Sequence, residues 1–296
     1  MPRSPKLRIG LALGSGVARG WAHIGVLRAL DERGIVPDVV CATSIGALAA
    51  GFYLNGQLDV LEAWTRRLTM FKLVRYLNLR LGRSGLIAEH RLFAEMEDYL
   101  GDTAIGDLPV PFAAIATDLK TGHEVWLTDG RLVDVIRASF SLPAFMTPVR
   151  LDGRWLVDGA LVNPVPVSAC HAYGTDVVIA VNLSADGMTG TKGRLGLGAE
   201  AKADRLAVPR SGAADGHPAP STLAVAATTL NIVQDRITRS RLAADPPDIN
   251  IVPKVGHIGL LDFHRADELI AAGAAAVAQI EALLDGLVSR STAEVS

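Results

Sequence analysis

Two turns rich in small residues, each set between a short apolar run and a helical pattern within the first 53 residues, restrict this 296-residue chain more than any other feature. Leu7 to Leu13 reads as a buried strand and runs into Gly14-Ser15-Gly16-Val17-Ala18-Arg19-Gly20. Trp21 to Arg33 then carries Trp21, Ile24, Val26, Leu27 and Leu30 at helical spacing, with Gly34 placed to stop the helix. Asp38 to Ala42 predicts a second strand, and Ile45 to Tyr53 a second helix. Strand–helix–strand–helix in this length is a βαβ unit, hence a mostly parallel sheet with helices on its faces. In adjacent parallel strands both turns leave the same carboxyl edge.

The rhythm returns downstream. Phe112 to Thr117, Val177 to Asn182 and Ile249 to Val252 predict further strands. Arg91 to Leu100, Leu132 to Ser139, Leu223 to Leu242 and Arg265 to Leu287 predict helices. Val125 to Leu127, Val149 to Leu151 and Trp155 to Val157 read as hairpin strands punctuated by Asp-Gly pairs. Residues 184–222 are rich in Gly, Ala, Asp and Pro and predict an insertion loop, or a lid, inside one domain spanning 7–288; 289–296 reads as a tail.

Composition narrows the function classes. A chain that is 49% hydrophobic, with a mean hydropathy of +0.29, can bury a large core and is not a disordered one. Twenty-nine basic against 31 acidic side chains give a net charge of −2, which offers no global basic field to nucleic acid. Cys41 and Cys170 are too few for a disulfide framework or a zinc cluster, and point to a reducing, cytoplasmic setting. No run approaches the length of apolar sequence that spans a bilayer, so the expected membrane contact is peripheral.

Ala42-Thr43-Ser44-Ile45-Gly46 stands where a strand meets a helix. Such a turn either raises a nucleophilic hydroxyl above the sheet edge or merely supplies Ser44 as a helix N-cap. The glycine-rich turn lacks the Gly-Lys-Ser/Thr ending of a nucleotide P-loop, having Arg19-Gly20-Trp21 instead. The acidic residue that a dinucleotide fold wants after the second strand is replaced by Thr43-Ser44. An oxyanion hole facing Ser44 and a purely structural turn remain as its uses. Arg19 either fixes the loop or meets a substrate phosphate.

A reactive serine needs a base. His171, His257 and His264 lie downstream for a Ser–His–Asp arrangement, whereas His23 sits inside the first helix. The alternative is Asp158, framed by Trp155-Leu156-Val157 and Ala160-Leu161-Val162, an apolar surrounding that raises a carboxyl pKa. Asp-Gly is also a turn signal, and the chain holds six such pairs, at Asp129, Asp152, Asp158, Asp186, Asp215 and Asp285.

In this order the three motifs resemble the patatin-like phospholipase family, whose marks are G-x-G-x-x-R-G, G-x-S-x-G and D-G-A/G. Here they read Gly14 to Gly20, Ala42 to Gly46 and Asp158-Gly159-Ala160. Ala138-Ser139-Phe140-Ser141-Leu142-Pro143 with Pro148, and Gly259 to Phe263 with Gly273, extend the resemblance over most of the chain. It implies a three-layer α/β/α sandwich and hydrolysis of lipid acyl esters by a Ser–Asp dyad, with neither metal nor organic cofactor. Carried over, Ser44 is the nucleophile and Asp158 the base. Backbone amides around Gly14, Ser15, Gly16 and Val17, with that of Ile45, form the oxyanion hole. The other readings to be separated from this one are a Ser–His–Asp esterase and a non-catalytic lipid-binding or regulatory module on the same fold.

A lipid substrate suits one further stretch. Arg66, Arg67, Lys72, Arg75, Arg80 and Arg83 alternate with leucines and aromatics across 66–83, without a single acid. The stretch is either a peripheral membrane contact or a core-covering helix with its cations directed to water.

Overall fold

The computed structural model describes residues 7–68, 85–143, 145–184 and 222–293. The insertion 184–222 and the cationic stretch 66–83 therefore lie almost wholly outside the described residues. In chain order the elements are β1 (Ile9–Leu13), α1 (Ala22–Asp31), β2 (Val39–Thr43), α2 (Ile45–Leu54), α3 (Leu58–Arg66) and α4 (Gly85–Leu100). Next come β3 (Phe112–Asp118), β4 (Glu124–Leu127), α5 (Leu132–Phe140), β5 (Val149–Leu151), β6 (Arg154–Asp158) and α6 (Val167–Ala172). The chain continues through β7 (Val177–Val181), α7 (Thr222–Ala244), β8 (Ile249–Ile251), α8 (Ala266–Ala278) and α9 (Glu281–Ala293).

One eight-stranded sheet, ordered β5-β6-β3-β2-β1-β7-β8 with β4 also on β3, forms the middle layer. Its centre is parallel, and β4, β5 and β6 are antiparallel additions at one side. Alternation along the strands divides the core in two, as a pleat requires. Leu11, Leu13, Val40, Ala42, Phe112, Ala114, Ile179 and Val181 face one helical layer with α1, α2 and α8. Ala12, Val39, Cys41, Ala113, Ile115, Val178 and Ala180 face the other, which includes α6. The chain is thus an α/β/α sandwich. Both cysteines are buried free thiols in the second of these layers.

The sheet's side additions create the key juxtaposition. β4 pairs with Ala114 to Thr117 of β3, while β2 pairs with Val40↔Phe112 to Thr43↔Ile115 and β6 with Ala116↔Asp158 to Asp118↔Leu156. Both β2 and β6 overlap β4 along β3, so both occupy the opposite edge. β2 runs with β3 and β6 against it. Their carboxyl ends consequently meet head-on over consecutive residues, Ile115 and Ala116, and bring Thr43-Ser44 against Asp158.

Two sequence expectations need correction. The pattern Arg265 to Leu287 is not one helix but α8 and α9, meeting at 61°. Ile280 packs against the core at the break, and the bend keeps Val277, Leu284 and Leu287 buried on both sides of it. The last helix also continues to Ala293, into the stretch expected as a tail.

Candidate active site

Ser44 has φ 58° and ψ −123°, a conformation that costs a non-glycine residue energy and is held only by its surroundings. Its N–H donates to Ser139 Oγ at 2.9 Å, and that hydroxyl donates onward to Ile115 O at 2.6 Å. Its carbonyl accepts from Ala47 and Leu48, so α2 starts immediately behind it. Gly46 is required by close approach: a Cβ there would lie 2.4 Å from Leu13 O and 2.7 Å from Gly14 O. Ala42, where the family motif has glycine, is an ordinary buried strand residue paired with Leu13 and Ala114, and its φ is not positive.

Ser44 Oγ donates to Asp158 Oδ2 at 2.5 Å. Asp158 is fully buried at the end of β6, and its other oxygen, Oδ1, accepts from Ala160 N at 2.8 Å. The backbone around it is equally fixed. Asp158 N donates to Ser141 O at 3.0 Å, and Thr117 Oγ1 donates to Asp158 O at 2.9 Å. Gly159 lies so close to β3 that a Cβ would sit 2.2 Å from Ile115 O. Burial pushes the carboxyl pKa up to about 7, against the opposing pull of the Ser44 and Ala160 bonds. A hydroxyl bonded to a carboxyl of that pKa can pass its proton at neutral pH without an intervening group.

The glycine-rich turn is only partly available to a ligand. Gly14 N donates to Val181 O at 3.0 Å and Ser15 N to Pro164 O at 2.8 Å, so the two amides expected to face a substrate are already engaged. The next two amides differ. Among the described residues, the N–H groups of Gly16 and Val17 have no acceptor, and neither does that of Ile45 at the start of α2. Val17 has φ 52°, unusual for a β-branched residue, so the turn is strained where those donors lie.

Arg19 is turned inward rather than toward a substrate. It is buried, and its guanidinium donates to Ile258 O at 2.9 Å and Gly256 O at 3.4 Å. That fastens the glycine-rich turn to the loop before α8. His23 reinforces the same turn through a 2.7 Å bond between Nε2 and Gly14 O. A carbonyl only accepts, so Nε2 carries the proton, and burial, opposed by that bond, lowers the ring pKa to about 4.

The three histidines weighed as bases stand on the outer surface. His171 is exposed on α6, His264 is exposed ahead of α8, and His257 binds Glu268 Oε1 at 2.6 Å. None of these rings is interposed between Ser44 and Asp158, which bond directly. Among the described residues, no group of three or more His, Cys, Asp or Glu side chains is placed to hold a metal ion. Four residues of the site, Thr117, Ser139, Ser141 and Asn163, had no role assigned from sequence. Asn163 O accepts from Thr43 Oγ1 at 2.8 Å, tying the segment after Asp158 to the segment before Ser44. The Ser139-Phe140-Ser141 repeat was the one available signal for two of the four.

Residues 11–171, which carry the glycine-rich turn, Ser44 and Asp158, match the family model described as patatin-like phospholipase. The chain is 39% identical over 177 residues to an uncharacterized NTE family protein of Mycobacterium bovis, an alignment covering 60% of this chain and 49% of that one. Neuropathy target esterase sws of Drosophila melanogaster is 33% identical over 182 residues, covering 59% and 13% respectively. The lysophospholipase NTE1 of Coccidioides immitis is 29% identical over 271 residues, covering 90% and 17%. The chain spans about half the length of the mycobacterial relative and a smaller share of the other two. By the match over residues 11–171, the chain belongs to the patatin-like phospholipase family.

Proposed function

We propose that the chain is a serine lipid acyl hydrolase of the phospholipase A or esterase type, working through a Ser44–Asp158 dyad. The 2.5 Å bond between the two side chains, made by a strained serine at a strand–helix turn, is the observation that carries this reading. Asp158 as carboxylate takes the Ser44 proton while Oγ bonds to the ester carbonyl carbon. The same proton then goes to the departing alcohol oxygen as the acyl–oxygen bond breaks. Asp158 then takes a proton from water, whose oxygen bonds to the acyl carbon, and passes that proton to Ser44 Oγ as the acyl–Oγ bond breaks and the acid leaves.

The carbonyl oxygen becomes negative in both steps. The unengaged amides of Gly16, Val17 and Ile45 are its donors, and Gly14 and Ser15 keep their structural bonds. Each such donor contributes about 3–4 kcal/mol to the transition state in related chemistry. The crevice beside the Val17 donor, lined by Leu142, Phe145, Leu230, Asn231, Gln234, Leu260 and Leu261, has only about 10 Å³, room for a water rather than an acyl chain, so the acyl-ester substrate is read from the dyad and its donors. The lysophospholipase name of one relative agrees with that class of substrate.

A fluorophosphonate probe tests the reading. It labels the protein at one serine, and Ser44→Ala abolishes both the labelling and p-nitrophenyl ester hydrolysis. A folded protein that takes no label would instead be a lipid-binding module.

A further inference from the structure

The β5–β6 hairpin offers an apolar, cationic surface that neither the core nor the dyad uses. Trp155 is 52% exposed and Leu119 55% exposed, although both are large and apolar. They are neighbours, since Leu119 N donates to Trp155 O at 2.8 Å where β6 begins beside the end of β3. Across the hairpin Arg150 pairs with Trp155, and its guanidinium carbon lies 5.9 Å from the indole centroid. Register places Leu119, Trp155 and Arg150 on one face.

The surrounding charges favour an anionic partner. Lys120, Arg150 and Arg154 are exposed here. Of the two acids nearby, Asp152 is exposed at the hairpin tip, and Asp118, whose carboxylate accepts from the backbone N–H groups of Lys120 and Thr121, also interacts with Arg154, which leaves the cations in excess by one. Position supplies the remaining constraint. Trp155 precedes Asp158 by three residues on one strand, which is about 10 Å along the chain. The hairpin begins at the rim where Ser44 and Asp158 meet and projects beyond the carboxyl end of β2.

From this geometry we propose that the β5–β6 hairpin, through Trp155, Leu119, Arg150, Arg154 and Lys120, docks the protein on an anionic lipid surface. The choice of a lipid surface over a second copy of the chain rests on the acyl-hydrolase reading above and on the three cations. Indole prefers the headgroup level of a bilayer, where its ring is apolar and its N–H is wet. Cations beside it face lipid phosphates, each contributing about a fivefold gain in partitioning. Docking there holds the rim, and with it the dyad, against the layer that holds the ester.

Vesicle co-sedimentation and tryptophan emission test the proposal. The full chain binds phosphatidylcholine vesicles containing phosphatidylglycerol more tightly than phosphatidylcholine alone, with a blue shift in emission. Trp21 and Trp64 are buried, so the shift belongs to the exposed indoles and is lost in Trp155→Phe with Trp126→Phe. Neutralising Lys120, Arg150 and Arg154 to Gln weakens binding to the anionic vesicles by about a hundredfold, and Trp155→Ala weakens it by about tenfold. Hydrolysis of a soluble p-nitrophenyl ester stays unchanged in these variants. Failure of the unaltered protein to bind, binding insensitive to these substitutions, or a loss of self-association in their place overturns the proposal. Hairpin-dependent binding by a protein that hydrolyses no ester would overturn the acyl-hydrolase reading and leave this surface standing.

Discussion

Asp158→Asn lowers kcat/KM for ester hydrolysis by about 10²–10⁴-fold, because the amide keeps the side chain's shape but cannot take a proton from Ser44. The same substitution also removes a pH dependence of stability. Burial raises the Asp158 carboxyl to about 7 in the folded protein, whereas an unfolded chain holds an aspartate near ~3.9. Between those two values the folded state keeps a proton that the unfolded state has released. Stability is therefore fullest below the unfolded value and falls as pH rises, until the folded carboxyl has ionised above about 7. Denaturant melts at pH 5 and pH 8 should show this loss, on the order of a few kcal/mol, in the unaltered protein and not in Asp158→Asn. An asparagine variant that turned over ester at the normal rate would remove Asp158 from the mechanism.

Gly46→Ala carries the second large effect. The added methyl meets backbone, at 2.4 Å from Leu13 O and 2.7 Å from Gly14 O, and neither can rotate away. α2 must separate from the glycine-rich turn, which moves Ser44 and the Ile45 amide relative to those of Gly16 and Val17. A shift of about 1 Å between nucleophile and oxyanion donors costs on the order of 10²-fold in rate. The loss falls mainly on kcat, since those donors act chiefly on the developing oxyanion. The packing strain adds about 1–3 kcal/mol of destabilisation, readable in the same melts. Normal kcat in a folded Gly46→Ala protein would show that this close approach does not set the geometry of the site.

What the chain makes legible, and what it hides, follows from the range of each interaction. β1, β2, the two turns and α2 can be read locally, because each is a short apolar run ending in small residues. Asp158 cannot be singled out that way. Asp152-Gly153 has the same signature and is a true hairpin turn, with φ 48° and 78°, whereas Asp285-Gly286 lies within α9. Asp158 differs only because β6 shares an edge of β3 with β2, a pairing between residues 38 to 42 positions apart. The loss of Gly14 and Ser15 as donors is equally non-local, since their acceptors, Val181 and Pro164, come from the far half of the chain. Arg19 is drawn inward by carbonyls at Gly256 and Ile258. The bend between α8 and α9 escapes a periodicity reading because Ala-rich α8 runs into α9, with its own apolar Leu283, Leu284 and Leu287, without a Gly or Pro between them.

In the mechanism we propose, Asp158 serves Ser44 directly, with no imidazole between them. This is tested most directly by the pH dependence of kcat/KM on a soluble short-chain ester, in the unaltered protein and in a variant with His171, His257 and His264 all changed to Ala. A direct dyad gives the same single rise in activity with pH in both, with its midpoint near the Asp158 value of about 7. Collapse of turnover, or disappearance of that limb, in a folded triple variant would contradict it.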